Sequence, residues 1–110
     1  MLEANLAFYD AFASHDVAAM DKVWANSHAV SCIHPGCWHA LHGRAYVMAS
    51  WRAILTGSDA PPIRCEDPMG QVYDQTAVVT CIERVMQTQL VATNVFVLER
   101  GLWKMVHHQA

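Results

Sequence analysis

The sequence has no surplus of positive charge, no long apolar run and no basic N-terminus, and each absence removes a class of function. Lys and Arg number 7 against 10 Asp and Glu, a formal net charge of −3. No basic stripe is available to follow a phosphate backbone, so a nucleic acid is not an expected partner. The longest uncharged apolar stretches are strand-sized, such as Ala77–Ile82. They fall far short of the roughly 20 residues a membrane-spanning helix needs. The opening MLEANLAFYD carries acids where a signal peptide carries basic residues, and it lacks a sustained apolar segment. The expected setting is cytoplasmic, away from a membrane. Repeats, low-complexity tracts and linkers are also missing, and 110 residues suit one domain.

Hydrophobic residues are plentiful at 54%, enough for a core. The cysteines are Cys32, Cys37, Cys65 and Cys81. An even count argues for disulfides only in an oxidising setting, so buried free thiols are the expected state.

Periodicity predicts the elements. At about 100° per residue, Leu2, Leu6, Phe8, Tyr9 and Phe12 share one arc of a first helix over Leu2–Ala13, with Asn5 the polar exception inside it. Ser14-His15-Asp16 breaks the pattern. Asp16 suits the N-cap of a short second helix that turns Val17, Met20, Val23 and Trp24 inward. Ala29–His34 reads as a strand stopped by Pro35-Gly36, and a loop holding Cys37, Trp38, His39, Leu41 and His42 follows. A third helix over Arg44–Leu55 gathers Val47, Met48, Trp51, Ile54 and Leu55 on its apolar arc. Four strands complete the chain: a bulged Ile63–Tyr73 containing Pro68 and Gly70, then Thr76–Val85, Leu90–Glu99 and Leu102–His108. Short turns between them imply antiparallel pairing. Both alternating sets of Leu90–Leu98 are largely apolar, which calls for a cover on each face. Three helices cover one face, so a homodimer is expected through the other.

This order and several phrases resemble the SnoaL-like branch of the nuclear transport factor 2-like superfamily. The phrases are Asn5…Phe8-Tyr9…Phe12, Asp16…Met20…Trp24, Cys32-Ile33-His34-Pro35-Gly36, Gly43-Arg44, Ser50-Trp51, Ala92-Thr93-Asn94-Val95-Phe96 and Trp103-Lys104-Met105-Val106-His107-His108-Gln109. The resemblance covers nearly the whole chain. It implies an α+β, cone-shaped, cystatin-like fold: three N-terminal helices packed on a strongly curved, mostly antiparallel sheet. It also implies an enclosed pocket for a small molecule, and no cofactor. One such fold hosts isomerases, cyclases, hydrolases and non-catalytic modules, so function must come from the site.

Enzymes of this kind typically use a pocket carboxylate as general base, because an apolar pocket raises its pKa toward neutrality. Acids are scarce in the elements expected to form the pocket. Glu83, alongside Val79 and Cys81, is the leading candidate and Asp67 the second. The alternative for Glu83 is a cross-strand ion pair near a sheet end. His34 ends the first strand beside aromatic residues, where a neutral imidazole suits either a ligand contact or a proton transfer; its alternative is holding the Pro35-Gly36 turn. Tyr9, Trp38, Trp51, Asn94, Phe96 and His107 are the expected ligand contacts, with core packing the competing role for the aromatic residues. His107 and His108 must face opposite sides of the last strand. Cys32, His34, Cys37, His39 and His42 have zinc-binding residue types, but their spacing fits no standard finger, and no metal is expected.

Overall fold

The structure, a computed structural model, describes residues 1–58 and 60–110. Three helices, α1 (Leu2–Ala13), α2 (Val17–Val23) and α3 (Arg44–Thr56), lie on one face of a six-stranded sheet. The strands are β1 (Ser31–Ile33), β2 (Leu41–His42), β3 (Ile63–Tyr73), β4 (Thr76–Val85), β5 (Thr88–Glu99) and β6 (Leu102–Gln109), in the order β2-β1-β6-β5-β4-β3. Pairing is antiparallel except between β1 and β6, where Cys32 stands beside His108 in parallel. Leu41 and His42, expected in the loop, form a two-residue strand against β1 because Cys32 and Ser31 offer a free edge there.

Local chemistry explains the corners. Asp16 caps α2 by accepting from the Ala19 N–H at 3.0 Å. His15, at φ 55°, reverses the chain between α1 and α2. Arg44 closes the other end of α2: its guanidinium donates to the carbonyls of Trp24 and Ala25 at 3.0 Å each and to the Asp21 carbonyl at 2.8 Å. The carboxylate of Glu99 accepts from the N–H groups of Asn26 and Ser27 and thereby ties the segment after α2 to the end of β5.

The inner sheet face buries Ala77, Val79, Cys81 and Glu83 of β4, Ala92, Asn94 and Phe96 of β5, and Met105 and His108 of β6. Helices contribute Phe8, Tyr9, Phe12, Met20, Trp24, Val47 and Trp51. α1 has a wider apolar arc than buried stripe: Leu2 and Leu6 lie at its edge, 45% and 58% exposed, while Asn5 within the arc is buried.

Two bulges re-aim side chains. In β3 the register slips between Glu66 and Met69, where Asp67 adopts φ 53° ahead of Pro68. In β6 one extra residue enters opposite the Val95–Phe96 step, so that Phe96 pairs with Met105 while Val95 pairs with His107. This second bulge decides which histidine points inward.

Candidate functional site

An elongated cavity of about 440 Å³ opens between α1, α3, the end of β1 and the far ends of β4 and β5. Phe8, Phe12, Trp51, Ile54, Ile63, Val85 and Leu90 form its apolar wall; Pro35, Pro61 and Thr88 also line it. Three ionisable side chains reach it: His34, Glu83 and His108. A larger groove of about 570 Å³ runs between α1, α2 and the start of β6, past Ala4, Ala7, Lys22 and Trp103. Its lining includes Ala4, Ala7 and Ala19, and the ammonium of Lys104 is committed to the Lys22 carbonyl at 2.6 Å, so volume alone is a poor guide. The chemistry concentrates in the smaller cavity.

Glu83 is 1% exposed. Its carboxyl accepts a hydrogen bond from the Tyr9 hydroxyl at 2.6 Å. Among the described residues this is its only hydrogen bond, and the His108 Nε2 stands 3.8 Å from the same oxygen, beyond bonding reach. Burial raises the Glu83 pKa above the ordinary carboxyl value, and the Tyr9 bond only partly offsets it. Tyr9 itself is held far above the ordinary phenol value by burial and by the neighbouring Glu83 charge, so it stays a donor.

Behind the cavity wall runs a line of hydrogen-bonded polar groups. The Asn94 amide donates to Asn5 Oδ1 at 2.8 Å and to the Tyr9 oxygen at 3.2 Å, and its own oxygen accepts from His108 Nδ1 at 2.6 Å. The Cys81 thiol lies 3.2 Å from the Tyr9 hydroxyl. Two buried amides and a buried imidazole would each carry a desolvation cost if left alone; together they offset part of it. His108 is 2% exposed, and burial, followed by the proximity of His34 and His107, lowers its pKa to about 3. It is neutral at physiological pH.

His34 reaches the cavity from the end of β1 and stacks edge-on against Trp51 at 4.9 Å. Its Nε2 bonds the Ser50 hydroxyl at 2.9 Å, and that hydroxyl in turn donates to the Val47 carbonyl at 2.7 Å. The Pro35-Gly36 turn is closed by backbone instead, Cys37 N–H to His34 carbonyl. Burial lowers the His34 pKa as well.

The structure therefore brings His34, Glu83 and Trp51 to the cavity, and sets Tyr9 and Asn94 one layer behind its wall. Phe96 is buried in the core beside Met105 and lines no part of the cavity. Two further expected contacts also lie away from the cavity. Trp38 is 98% exposed on the β1–β2 loop, because the turn at Pro35-Gly36 carries it away from the helices. His107 points to the outer face, where its Nδ1 lies 2.7 Å from the Ser31 hydroxyl; the β6 bulge gives the inner position to His108. Asn5 was visible in sequence as the polar residue in an apolar arc. His108 carried no such mark, since only the bulge distinguishes it from its neighbour. Asp67 sits exposed in the β3 bulge. Among the described residues, no group of three or more His, Cys, Asp or Glu is placed to hold a metal ion.

A helical cover on a mixed sheet, with a part-polar cavity between them, defines the cone-shaped nuclear transport factor 2-like architecture. The chain belongs to the SnoaL-like domain family, whose model matches residues 1–110. A proposed dehydratase of the NTF2-like family from Streptomyces avermitilis is 32% identical, with a TM-score of 0.85 over 96% of this chain and 88% of that one. A proposed calcium/calmodulin-dependent protein kinase type II association domain from Thiobacillus denitrificans is 29% identical, with a TM-score of 0.82 over 96% of this chain and 89% of that one. The F-box protein SKIP8 of Arabidopsis thaliana is 26% identical over 112 residues, covering 100% of this chain and 48% of that protein. The chain thus spans about half the length of that curated relative. No described helix is long and apolar enough to cross a membrane.

Proposed function

We propose that the chain binds a small, uncharged, carbonyl-bearing ligand in the Glu83 cavity and moves a proton on it, as an isomerase, cyclase or dehydrating lyase does. The observation that carries this reading is Glu83: a carboxyl 1% exposed, at the inner end of an apolar cavity, oriented by one short bond from Tyr9. A carboxyl whose pKa is raised by burial is a more effective general base near neutrality than a solvated one. Among the described residues no lysine or arginine lines the cavity, and burial disfavours the charged form of both imidazoles, so the site does not favour an anionic ligand. The name given to the Streptomyces relative points in the same direction.

The test is exchange of solvent deuterium into the α-carbon of a panel of cyclic ketones, hydroxylated and not, followed by proton NMR. Wild-type protein should accelerate the exchange, and Glu83→Gln should lose about 10²- to 10⁴-fold of that acceleration. No acceleration by the wild type across the ketone panel would remove the catalytic reading.

The outer sheet face supports a second reading, a dimeric binding or association module. Val78, Ile82, Val95 and Val97 are half-buried there and Val91 is 67% exposed, with no described element above them. The Thiobacillus relative is named for association. A homodimer through this face should give twice the chain mass by light scattering, and Val91→Glu should halve it. A wild-type monomer at micromolar concentration would end this reading. The free thiols Cys32, Cys37, Cys65 and Cys81 favour a reducing, cytoplasmic setting.

A further inference from the structure

The hydrogen bonds around the cavity fix the protons of both imidazoles, and they fix them in a way that restricts the ligand. Ser50 spends its only proton on the Val47 carbonyl, so its oxygen accepts from His34 Nε2–H. His34 Nδ1 is then an acceptor with no nitrogen or oxygen donor within bonding distance among the described residues; the weakly donating Cys32 thiol lies 3.9 Å away. On the opposite wall, Asn94 turns its amide nitrogen toward Asn5 Oδ1 and the Tyr9 oxygen, which leaves its carbonyl oxygen facing His108. His108 must donate from Nδ1, and Nε2 is left bare beside Glu83. Tyr9 cannot supply a proton to a ligand, because its single proton is committed to Glu83.

Among the described residues the cavity lining thus carries two imidazole acceptors and one carboxyl against a single buried, unpartnered donor, the Nε1–H of Trp51. A ketone with no hydroxyl would leave both imidazole lone pairs buried and unpaired. A buried polar group without a partner costs enough to discriminate between ligands that differ only in that partner. Resting on the proposal that this cavity is the working site, we infer that its ligand brings its own hydrogen-bond donors, as a phenolic or enolic hydroxyl compound does. Asn5 and Asn94 are positioning residues for that selectivity. Asn5 makes no hydrogen bond to His108 and does not line the cavity, but together with the Tyr9 oxygen it holds the Asn94 amide the right way round. Burying an asparagine at 2% exposure on the apolar arc of α1 has a purpose on this account.

Three probes separate the possibilities: resorcinol, its dimethyl ether, and acetophenone. Binding is followed by long-range proton–nitrogen NMR of the histidine rings, which also reads the tautomers directly. The free wild-type protein should show His34 protonated on Nε2 and His108 on Nδ1; the reverse tautomer at either residue overturns the inference without any variant. Resorcinol should bind about tenfold or more tightly than either donor-free probe. Equal affinities would overturn the donor requirement while leaving the cavity reading intact. If no probe perturbs His34, His108 or Trp51, the cavity reading and the inference fall together. Asn5→Leu leaves the Tyr9 oxygen as the one remaining acceptor for the Asn94 amide, and should shift His108 partly toward the Nε2–H tautomer and weaken the preference for resorcinol. Asn5→Asp retains an acceptor at the same place and should preserve both. Loss of the preference in Asn5→Leu with the His108 tautomer unchanged would refute the positioning role.

Discussion

The space under the helices divides into two halves built on different principles. Around Trp24 the interior is dry and apolar: Met20, Val23, Ala25, Phe96 and Met105 are all buried, Arg44 satisfies the carbonyls of Trp24 and Ala25, and the Trp24 Nε1–H is a lone buried donor without a partner among the described residues. Around Glu83 the same sheet buries an acid, two amides and an imidazole, and leaves a cavity of about 440 Å³ beside them. Apolar burial and close packing stabilise a fold, whereas a buried polar network at best offsets its own desolvation. The Trp24 half thus holds the domain together. The Glu83 half is carried by it, and a buried acid with neutral imidazoles around an opening is the arrangement expected of a binding or catalytic site.

Substitutions can sharpen the contrast. The largest effect should come from the dry half: Trp24→Ala should lower stability by about 3–5 kcal/mol in chemical denaturation, through lost contacts and a residual void. Ligand-induced shifts at His34 should persist in that variant wherever it remains folded. The polar half should show itself through pH. The unfolded chain takes up a proton at His108 near pH 6.5, while the folded protein refuses it until about pH 3. Stability should therefore fall on acidification within that window, by about 1.4 kcal/mol per pH unit from this residue. His34 and His107 shift in the same direction. Glu83 acts oppositely: its raised pKa favours the fold at low pH, and that contribution is lost as pH rises through the folded value. Thermal melts of wild type and His108→Gln at pH 7 and 5 should show a smaller acid-induced drop in the variant. Asn94→Leu should cost about 1–3 kcal/mol, since it strands Asn5 and His108. Trp38→Ala, outside both halves, should change stability by less than about 0.5 kcal/mol and leave ligand shifts untouched.

The apolar packing of both halves was the more legible in sequence. Phe8, Phe12, Met20, Trp24, Val47 and Trp51 follow helical spacing, and Ala77, Val79 and Cys81 alternate on β4, so their burial follows from period alone. Asp16 and Pro35-Gly36 marked a helix start and a strand end. The polar half was read only in part. Glu83 and Asn94 stood out as polar residues on otherwise apolar strand faces, and Asn5 did so on its helix. Which histidine of the adjacent pair looks inward depends on a one-residue bulge, and nothing in Met105-Val106-His107 signals one. The position of Trp38 hung on the direction of a turn, which composition does not encode. The hydrogen-bond chain from Asn5 to Glu83 joins α1, β4, β5 and β6, and only their packing reveals it.

The most direct test of the difference between the halves is a carbon-13 NMR titration of the Glu83 carboxyl. A midpoint above the ordinary carboxyl range, rising further in Tyr9→Phe where the bond that lowers it is removed, is the predicted result. A midpoint at or below the ordinary value of about 4.3 would mean that Glu83 is solvated or ion-paired, and the cavity would lose its claim to proton chemistry.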